Sequence, residues 1–158
     1  MNPYQIKEQI EASIRVKSQL LEDTEMMETI AVVARLMVDA YRAGHKTLWA
    51  GNGGSAADAQ HMAGELVNKF YLNRPGLAAL SLSTDTSIIT AIGNDFGFDR
   101  LFARQIEAQG CAGDVFIGIS TSGKSPNRWK PCPPAGRKGL LPSLLSVQVF
   151  VQWMITTM

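Results

Sequence analysis

The chain has 158 residues, 46% of them hydrophobic and 18% charged, which suits one globular domain that buries a core. Its formal net charge at pH 7 is +1 and the charges are interspersed, a pattern that argues against nucleic-acid binding and against an acidic tail. Two cysteines, Cys111 and Cys132, are too few for a disulfide framework, and the polar N-terminus does not resemble a signal peptide. We therefore expect a cytoplasmic protein.

The first 44 residues are predicted to form a helical hairpin. Isoleucines at positions 6, 10 and 14 recur at helical spacing and predict an amphipathic helix that ends near residue 21. Asp23 or Thr24 is a candidate N-cap for a second helix, which would end at Gly44.

From residue 46 onward, short apolar strands alternate with helical segments. The predicted strands cover 46–50, 77–82 and 114–119, and the predicted helices cover 56–70, 85–92 and 101–109, with a loop at 94–97. This alternation is typical of an α/β fold in which helices flank a doubly wound parallel sheet. Ligand sites in such sheets lie at the carboxyl ends of the strands.

Two loops that follow predicted strands have the composition of anion sites. GNGGS at 51–55 combines three glycines with amide groups at a helix N-terminus. STSGKS at 120–125 supplies four hydroxyls and a lysine, which suit a phosphate monoester. Each loop alone could be an ordinary turn, and Ala56 stands where the dinucleotide fingerprint needs its third glycine. Together, at one sheet edge, the loops predict phosphate binding.

His61 and Glu65 are four residues apart on the helix after the first loop, so their side chains share one helix face. A glutamate there can move a proton between adjacent carbons of a sugar, and the histidine can orient it or join it as a metal ligand. The alternative is a partly exposed ion pair. His45 follows a helix-ending glycine and is expected to belong to the helix terminus rather than to a catalytic site.

Three segments together resemble the phosphoheptose isomerases of the sugar isomerase (SIS) domain family: GNGGSAADAQHMAGEL, STDTSIITAIGNDFGF and GISTSGKSPN. They occur in the family order within residues 1–127, which would form the N-terminal part of the domain, including the hairpin 1–44. The resemblance implies interconversion of sedoheptulose 7-phosphate and D-glycero-D-manno-heptose 7-phosphate, for lipopolysaccharide or another glycan. It also implies a homotetramer that the hairpin helps to build.

The resemblance further implies roles for individual residues. Glu65 would be the catalytic acid/base, and in zinc-binding members His61 and Glu65 would be two of the metal ligands. The substrate would contact a larger set: Asn52, Gly53, Gly54, Ser55, Glu65, Asn94, Asp95, Ser120, Thr121, Ser122 and Ser125.

Past Asn127 the resemblance ends. The family places a glutamine and a histidine on a late helix, whereas no histidine follows His61 here and five of the seven prolines lie between residues 126 and 142. We interpret residues 128–158 as an atypical proline-rich and apolar tail. Its apolar end, 140–158, is interrupted by Pro142 and two glutamines and is not expected to span a membrane.

A frameshift would explain this tail. Regrouping the codons of residues 129–132 and 152–157 by one frame permits Glu-Ala and Met-Asp-Asp-Tyr, which resemble family segments. The expectation is then an inactive fragment that lacks the later strands and leaves one sheet edge bare.

Two other functions remain open on the sequence. One SIS relative is non-catalytic and binds the bacterial replication initiator, and its motifs overlap with these. A sugar-phosphate sensor would use the same loops without moving a proton. The presence of both His61 and Glu65 favours the isomerase.

Overall fold

The computed structural model describes residues 2–121, 127 and 145–150. Helices and strands alternate after an N-terminal pair of helices, and a short 3₁₀ turn, Phe98–Arg100, precedes the last helix. In chain order the elements are α1 (Pro3–Glu22), α2 (Thr24–Arg42), β1 (Thr47–Gly51), α3 (Gly54–Val67), β2 (Ala79–Ser81), α4 (Thr86–Phe96), α5 (Leu101–Gln109), β3 (Val115–Ser120) and β4 (Leu145–Phe150).

The strands form one parallel sheet in the order β2-β1-β3-β4. Thr47 of β1 pairs with Ala79 of β2 and with Val115 of β3, and Val115 also pairs with Leu145 of β4. The chain passes from β1 outward to β2 and then places β3 on the other side of β1. The direction of winding therefore switches between β1 and β3, which is where doubly wound sheets open a ligand crevice.

The sheet separates two apolar cores. Side chains alternate along β1, so Leu48 and Ala50 join the core beneath α4 and α5, whereas Trp49 joins the core beneath α2 and α3. All five residues of β1 are buried, as expected for a central parallel strand covered on both faces. Helices on both faces of a parallel sheet confirm the predicted α/β fold.

The helical hairpin begins with well-formed caps. Asn2 and Gln5 form a capping box at the start of α1, and the Asp23 carboxylate accepts a hydrogen bond from the Met26 amide at the start of α2. The N-cap of α2 is thus Asp23, one of the two predicted candidates.

His45 is part of the cap at the C-terminus of α2. Gly44 has a positive φ of 80°, its amide donates to the Tyr41 carbonyl, and the His45 amide donates to the Ala40 carbonyl. These two bonds form a Schellman motif, which satisfies the last carbonyls of a helix. His45 belongs to the helix terminus, as expected.

The hairpin leaves much apolar surface uncovered. No residue of α1 is buried, and Ala40 alone is buried in α2. The exposed apolar side chains define the hairpin surface: Tyr4, Ile6, Ile10, Ile14, Leu21, Met26, Met27, Ile30, Val32 and Val38.

A buried carboxylate joins the amino ends of β1 and β3. Asp114 is 1% exposed and accepts hydrogen bonds from the Lys46 and Cys111 amides, at 3.0 and 2.8 Å, and from the Lys46 ammonium. The His45 ring lies 3.9 Å away. Burial alone would raise the pKa of Asp114, but these hydrogen bonds outweigh it and hold the pKa below its ordinary value.

The predicted loop at 94–97 is wrong, because α4 continues through Asn94 and Asp95 to Phe96. These residue types favour turns, but Ile92 is buried in the core and the Arg104 guanidinium lies 5.0 Å from the centre of the Phe96 ring. Packing on both sides of the Asn-Asp pair overrides local propensity. The helix stops instead at Gly97, whose φ is 86°.

Most of the predicted tail lies outside the described residues, so its boundary at 127 and the frameshift remain predictions. Leu145–Phe150 is described, and it pairs with β3 as a parallel strand. The expectation that this sheet edge is bare is therefore wrong over those residues. Within the described part of the chain, no helix is long and apolar enough to cross a membrane.

Candidate active site

Loops leave the sheet at the carboxyl ends of β1, β2 and β3. Gly51, the last residue of β1, pairs with Ile119, the last but one of β3. The loops after these two strands therefore start side by side, as the sequence predicted for the two anion loops.

Glycine is required at two points where β1 turns into α3. A Cβ atom at Gly51 would lie 2.3 Å from the Ser55 carbonyl oxygen, which is inside any permitted contact. Gly53, the N-cap of α3, has a φ of 56°, a conformation that residues with a side chain rarely adopt. These glycines let a buried strand lead directly into a helix.

The N-terminus of α3 has amides available for a ligand. No side chain caps this helix. The Ser55 amide donates to the Asn52 carbonyl and the Ala56 amide to the Gly53 carbonyl, whereas within the described residues the amides of Gly53 and Gly54 have no partner. Both glycines are exposed. Free amides at a helix N-terminus attract anions.

An amide pair links the first anion loop to Asn127, which lies two residues past the second loop in the sequence. The Asn52 amide nitrogen lies 2.8 Å from the Asn127 oxygen, and the Asn127 amide nitrogen lies 2.9 Å from the Asn52 oxygen. Asn127 is 5% exposed. Sequence reasoning assigned no role to Asn127, although it ends the motif GISTSGKSPN, because nothing local indicates a partner 75 residues away.

The hydroxyl residues predicted to bind substrate have different placements. Ser120 ends β3 and Thr121 follows it, and both are half-buried at the carboxyl edge. Ser122 and Ser125 lie outside the described residues. Ser55 is 7% exposed, so little of its surface is open to a ligand. A substrate contact by any of them remains a prediction.

The loop after β2 is tied to the first anion loop. The Ser83 hydroxyl donates to the Gly51 carbonyl at 3.0 Å, and the Gln60 side-chain amide donates to the Ser83 carbonyl at 3.1 Å. The Thr84 hydroxyl donates to the Ser81 carbonyl. The sequence signal was the hydroxyl run that begins the motif STDTSIITAIGNDFGF, and it was assigned no role.

His61 and Glu65 are neighbours, as their spacing predicted. The His61 Nε2 and Glu65 Oε1 atoms are 3.9 Å apart, and the two side chains are 70% and 32% exposed. Glu65 is eleven residues beyond Gly54, which places it about 16 Å along the helix axis from the first turn at 1.5 Å per residue. Within one chain, this pair is separated from the free amides of the anion loop.

A cleft of about 360 Å³ adjoins the His61–Glu65 pair. Its lining is mainly apolar and aromatic and consists of His61, Met62, Glu65, Leu66, Lys69, Phe70, Tyr71, Leu72 and Arg74. The Arg74 guanidinium donates to the backbone carbonyls of Glu65 and Leu66, at 3.2 and 2.9 Å. It thereby holds the segment after α3 against the last turn of this helix.

Asn94 and Asp95 are not brought together with the other predicted site residues. They lie in the last turn of α4, which packs on the opposite face of the sheet from α3. Within the described residues, the Asn94 amide donates to the Asp95 carboxylate at 2.7 Å, and both residues are exposed.

The side chains of His61 and Glu65 are of types that bind zinc, but they are too few to form a zinc site by themselves. An imidazole and a carboxylate are ordinary zinc ligands, and a protein site needs three or four. No group of three or more His, Cys, Asp or Glu side chains that could hold a metal occurs among the described residues. His61 and Glu65 therefore supply an incomplete set.

The family model for the SIS domain matches residues 10–140. A phosphoheptose isomerase from Aneurinibacillus thermoaerophilus is 55% identical over 141 residues, covering 89% of this chain and 71% of that protein. Phosphoheptose isomerase 2 from Campylobacter jejuni is 58% identical over 127 residues, covering 80% of this chain and 63% of that protein. The chain thus spans about two thirds of the length of these relatives.

Solved structures of phosphoheptose isomerases also resemble this chain. The phosphoheptose isomerase from Neisseria gonorrhoeae superposes with a TM-score of 0.71 at 45% identity, covering 78% of this chain and 63% of that one. The enzyme from Francisella tularensis gives a TM-score of 0.74 at 38% identity, covering 80% of this chain and 66% of that one. With its SIS domain match and these relatives, the chain belongs to the phosphoheptose isomerases, an enzyme family.

Proposed function

We propose that this chain binds sedoheptulose 7-phosphate and serves its isomerisation to D-glycero-D-manno-heptose 7-phosphate. The observation that carries the proposal is the meeting of two loops at one sheet edge. The amides of Gly53 and Gly54 at the N-terminus of α3 lie beside the end of β3, where Ser120 and Thr121 begin the hydroxyl-rich loop. Amides and hydroxyls together match the oxygens of a phosphate monoester.

The reaction needs a group that moves a proton. In a ketose-to-aldose isomerisation, a base removes a proton from C1 while the carbonyl oxygen at C2 gains one, which gives an enediol. An acid then delivers a proton to C2 while the hydroxyl at C1 gives up its proton and becomes the aldehyde oxygen. Glu65 is the acid/base in this proposal, because a half-exposed carboxylate can exchange a proton with a bound sugar. His61, 3.9 Å away, orients that carboxylate.

Self-association to a homotetramer is part of the proposal. The hairpin surface is exposed along both helices, and a continuous apolar stripe of this kind is characteristic of an interface. A second copy would also bring a Glu65 toward anion loops that its own chain holds about 16 Å away along α3. We expect light scattering at micromolar concentration to show an oligomer, and the double substitution I10K/I14K to dissociate it; a folded monomer of the parent chain would contradict this proposal.

Zinc is proposed as a cofactor that His61 and Glu65 would hold as two of its ligands. Bound there, zinc would polarise an oxygen of the sugar. The remaining ligands would come from outside the described residues. We also propose a cytoplasmic location and a place in lipopolysaccharide or other glycan synthesis, as in the resemblance drawn from the sequence.

Replacing Glu65 by glutamine tests the proposed reaction. Glu65→Gln keeps the shape of the side chain but cannot exchange a proton, so we expect turnover to fall about a hundredfold or more while the thermal midpoint is unchanged. Product formation from sedoheptulose 7-phosphate can be followed by NMR. The matched control is Glu107→Gln on α5, where the carboxylate pairs with Arg104 on the other side of the sheet. Parent-level turnover in Glu65→Gln would remove the proposed role of Glu65. A parent chain without turnover would refute the activity of this chain and would agree with the inactive fragment that the frameshift predicts.

A further inference from the structure

We propose that Asn127 is a positioning residue that orients the Asn52 amide and couples the two anion loops. The inference rests on the proposed function, because it concerns the same sheet edge. Its basis is the pair of reciprocal hydrogen bonds, at 2.8 and 2.9 Å, between side chains 75 residues apart in sequence.

Reciprocal pairing determines which way each amide points. An amide side chain has an oxygen that accepts and a nitrogen that donates. In this pair each oxygen faces the nitrogen of the other residue. Rotating either amide by half a turn would set oxygen against oxygen and N–H against N–H, so each side chain holds the other in one orientation. Asn52 keeps one N–H and one oxygen lone pair for a ligand.

The position of Asn52 gives this orientation a consequence for the whole loop. Asn52 lies between Gly51, which permits the turn out of β1, and Gly53, whose amide is free within the described residues. A shift of the Asn52 side chain is therefore transmitted to the first free amide of the anion loop.

Asn127 lies two residues beyond the end of the second anion loop in the sequence. It follows Ser122 and Ser125 in the sequence, and it is 5% exposed. A buried amide without its partner loses hydrogen bonds that water cannot replace. The pair thus joins a residue just past the hydroxyl-rich loop to the second residue of the glycine loop.

The amide chemistry predicts a distinctive pH response for Asn127→Asp. An ionised carboxylate can only accept, so it would face the Asn52 oxygen without a proton between them. A protonated carboxyl group donates once and accepts once, which restores both bonds. Because this position is 5% exposed, burial would raise the pKa of the introduced carboxyl group above the ordinary value of about 3.9. We therefore expect the affinity of Asn127→Asp for sedoheptulose 7-phosphate, relative to the parent at the same pH, to improve as the pH falls from 8 to 4.

A double-mutant cycle separates positioning from general destabilisation. The variants are Asn127→Ala, Asn52→Ala and the double variant, with Asn73→Ala in an exposed loop as the control. Calorimetry would measure the affinity for sedoheptulose 7-phosphate, and scanning calorimetry the thermal midpoint. Losing the pair in Asn127→Ala is expected to weaken binding about tenfold or more. In the Asn52→Ala background the same change is expected to cost less than about twofold, because the two residues act as one unit.

Side-chain NMR gives a reading that needs no ligand. We expect the Asn52 amide protons to exchange with water slowly in the parent and about tenfold faster in Asn127→Ala, as for a group released from two hydrogen bonds. Unchanged exchange, equal losses of affinity in both backgrounds of the cycle, or an Asn127→Asp affinity ratio that does not vary with pH would each overturn the proposal. A parent chain that shows slow Asn52 exchange but binds no sugar phosphate would refute the proposed function while leaving the amide pair in place.

Discussion

The two edges of the sheet use their polar groups in opposite ways. At the amino edge, Asp114 is buried and its carboxylate accepts hydrogen bonds from Lys46 and Cys111, so its charge is satisfied within the chain. At the carboxyl edge, the amides of Gly53 and Gly54 are exposed and have no partner within the described residues. The amino edge is built for stability, and the carboxyl edge keeps hydrogen-bonding capacity for a ligand.

Gly51 lies at the carboxyl edge, but we expect its replacement to lower the stability of the fold, as changes at the amino edge would. Gly51→Ala would place a Cβ atom 2.3 Å from the Ser55 carbonyl oxygen, and relieving the clash would disturb both β1 and α3. We expect a loss of about 3 kcal/mol in the free energy of unfolding, measured by denaturant titration.

Gly64→Ala is the matched control, because a Cβ atom there meets nothing within 4 Å. Helix propensity predicts a gain of up to about 1 kcal/mol for this change. A Gly51→Ala variant as stable as the parent would show that the turn into α3 can relax.

Replacing Asp114 tests how much the buried carboxylate at the amino edge contributes to stability. Asp114→Asn should remove about 2 kcal/mol of stability at pH 7, because the amide cannot replace a carboxylate that accepts three hydrogen bonds and faces the Lys46 ammonium. Sugar-phosphate affinity should be unchanged, since this residue is at the opposite edge from the anion loops.

The pH dependence of this effect has a definite sign. The folded state lowers the pKa of Asp114, so the folded state favours the ionised carboxylate. The stabilisation is complete above the ordinary pKa of about 3.9 and is lost as the pH falls through the lower folded-state value. The difference in thermal midpoint between parent and Asp114→Asn should therefore narrow below about pH 4; a constant difference would contradict the assignment.

Removing hydroxyls of the second anion loop should have the opposite effect to Asp114→Asn, because it should lower ligand affinity and leave stability nearly unchanged. The double substitution S120A/S122A removes two candidate phosphate donors, and we expect affinity for sedoheptulose 7-phosphate to fall about tenfold, or about 1.4 kcal/mol, with little change in the thermal midpoint. Calorimetry measures the first quantity and scanning calorimetry the second. Unchanged affinity would mean that this loop does not bind the phosphate.

Much of the fold was predictable from local patterns. Apolar spacing predicted a first helix that ends near residue 21, close to the observed end of α1 at Glu22, and the predicted helix at 101–109 matches α5. Asp23 was predictable as an N-cap because carboxylates accept hydrogen bonds from free amides at helix starts. The end of α4 was not predictable, since Asn94 and Asp95 favour a turn locally. The packing of Ile92 and the contact of Phe96 with Arg104 extend the helix through them.

The candidate site was also predictable in part from the sequence. The spacing of His61 and Glu65 was sufficient to predict that they are neighbours, because a helix repeats every 3.6 residues. It was not sufficient to predict that one chain holds them away from the free amides of Gly53 and Gly54, since a shared helix does not imply a shared end.

The sequence by itself determined the helical hairpin, the alternation of strands and helices, and the glycine and hydroxyl loops, because each depends on residues close together in the chain. The tertiary structure alone decided that Asn52 meets Asn127, that Asp114 binds Lys46, and that Asn94 lies on the opposite face of the sheet from Glu65. These placements depend on strand order and register. Both are set by the packing of the whole sheet, where burial and backbone pairing of distant segments outweigh local preference.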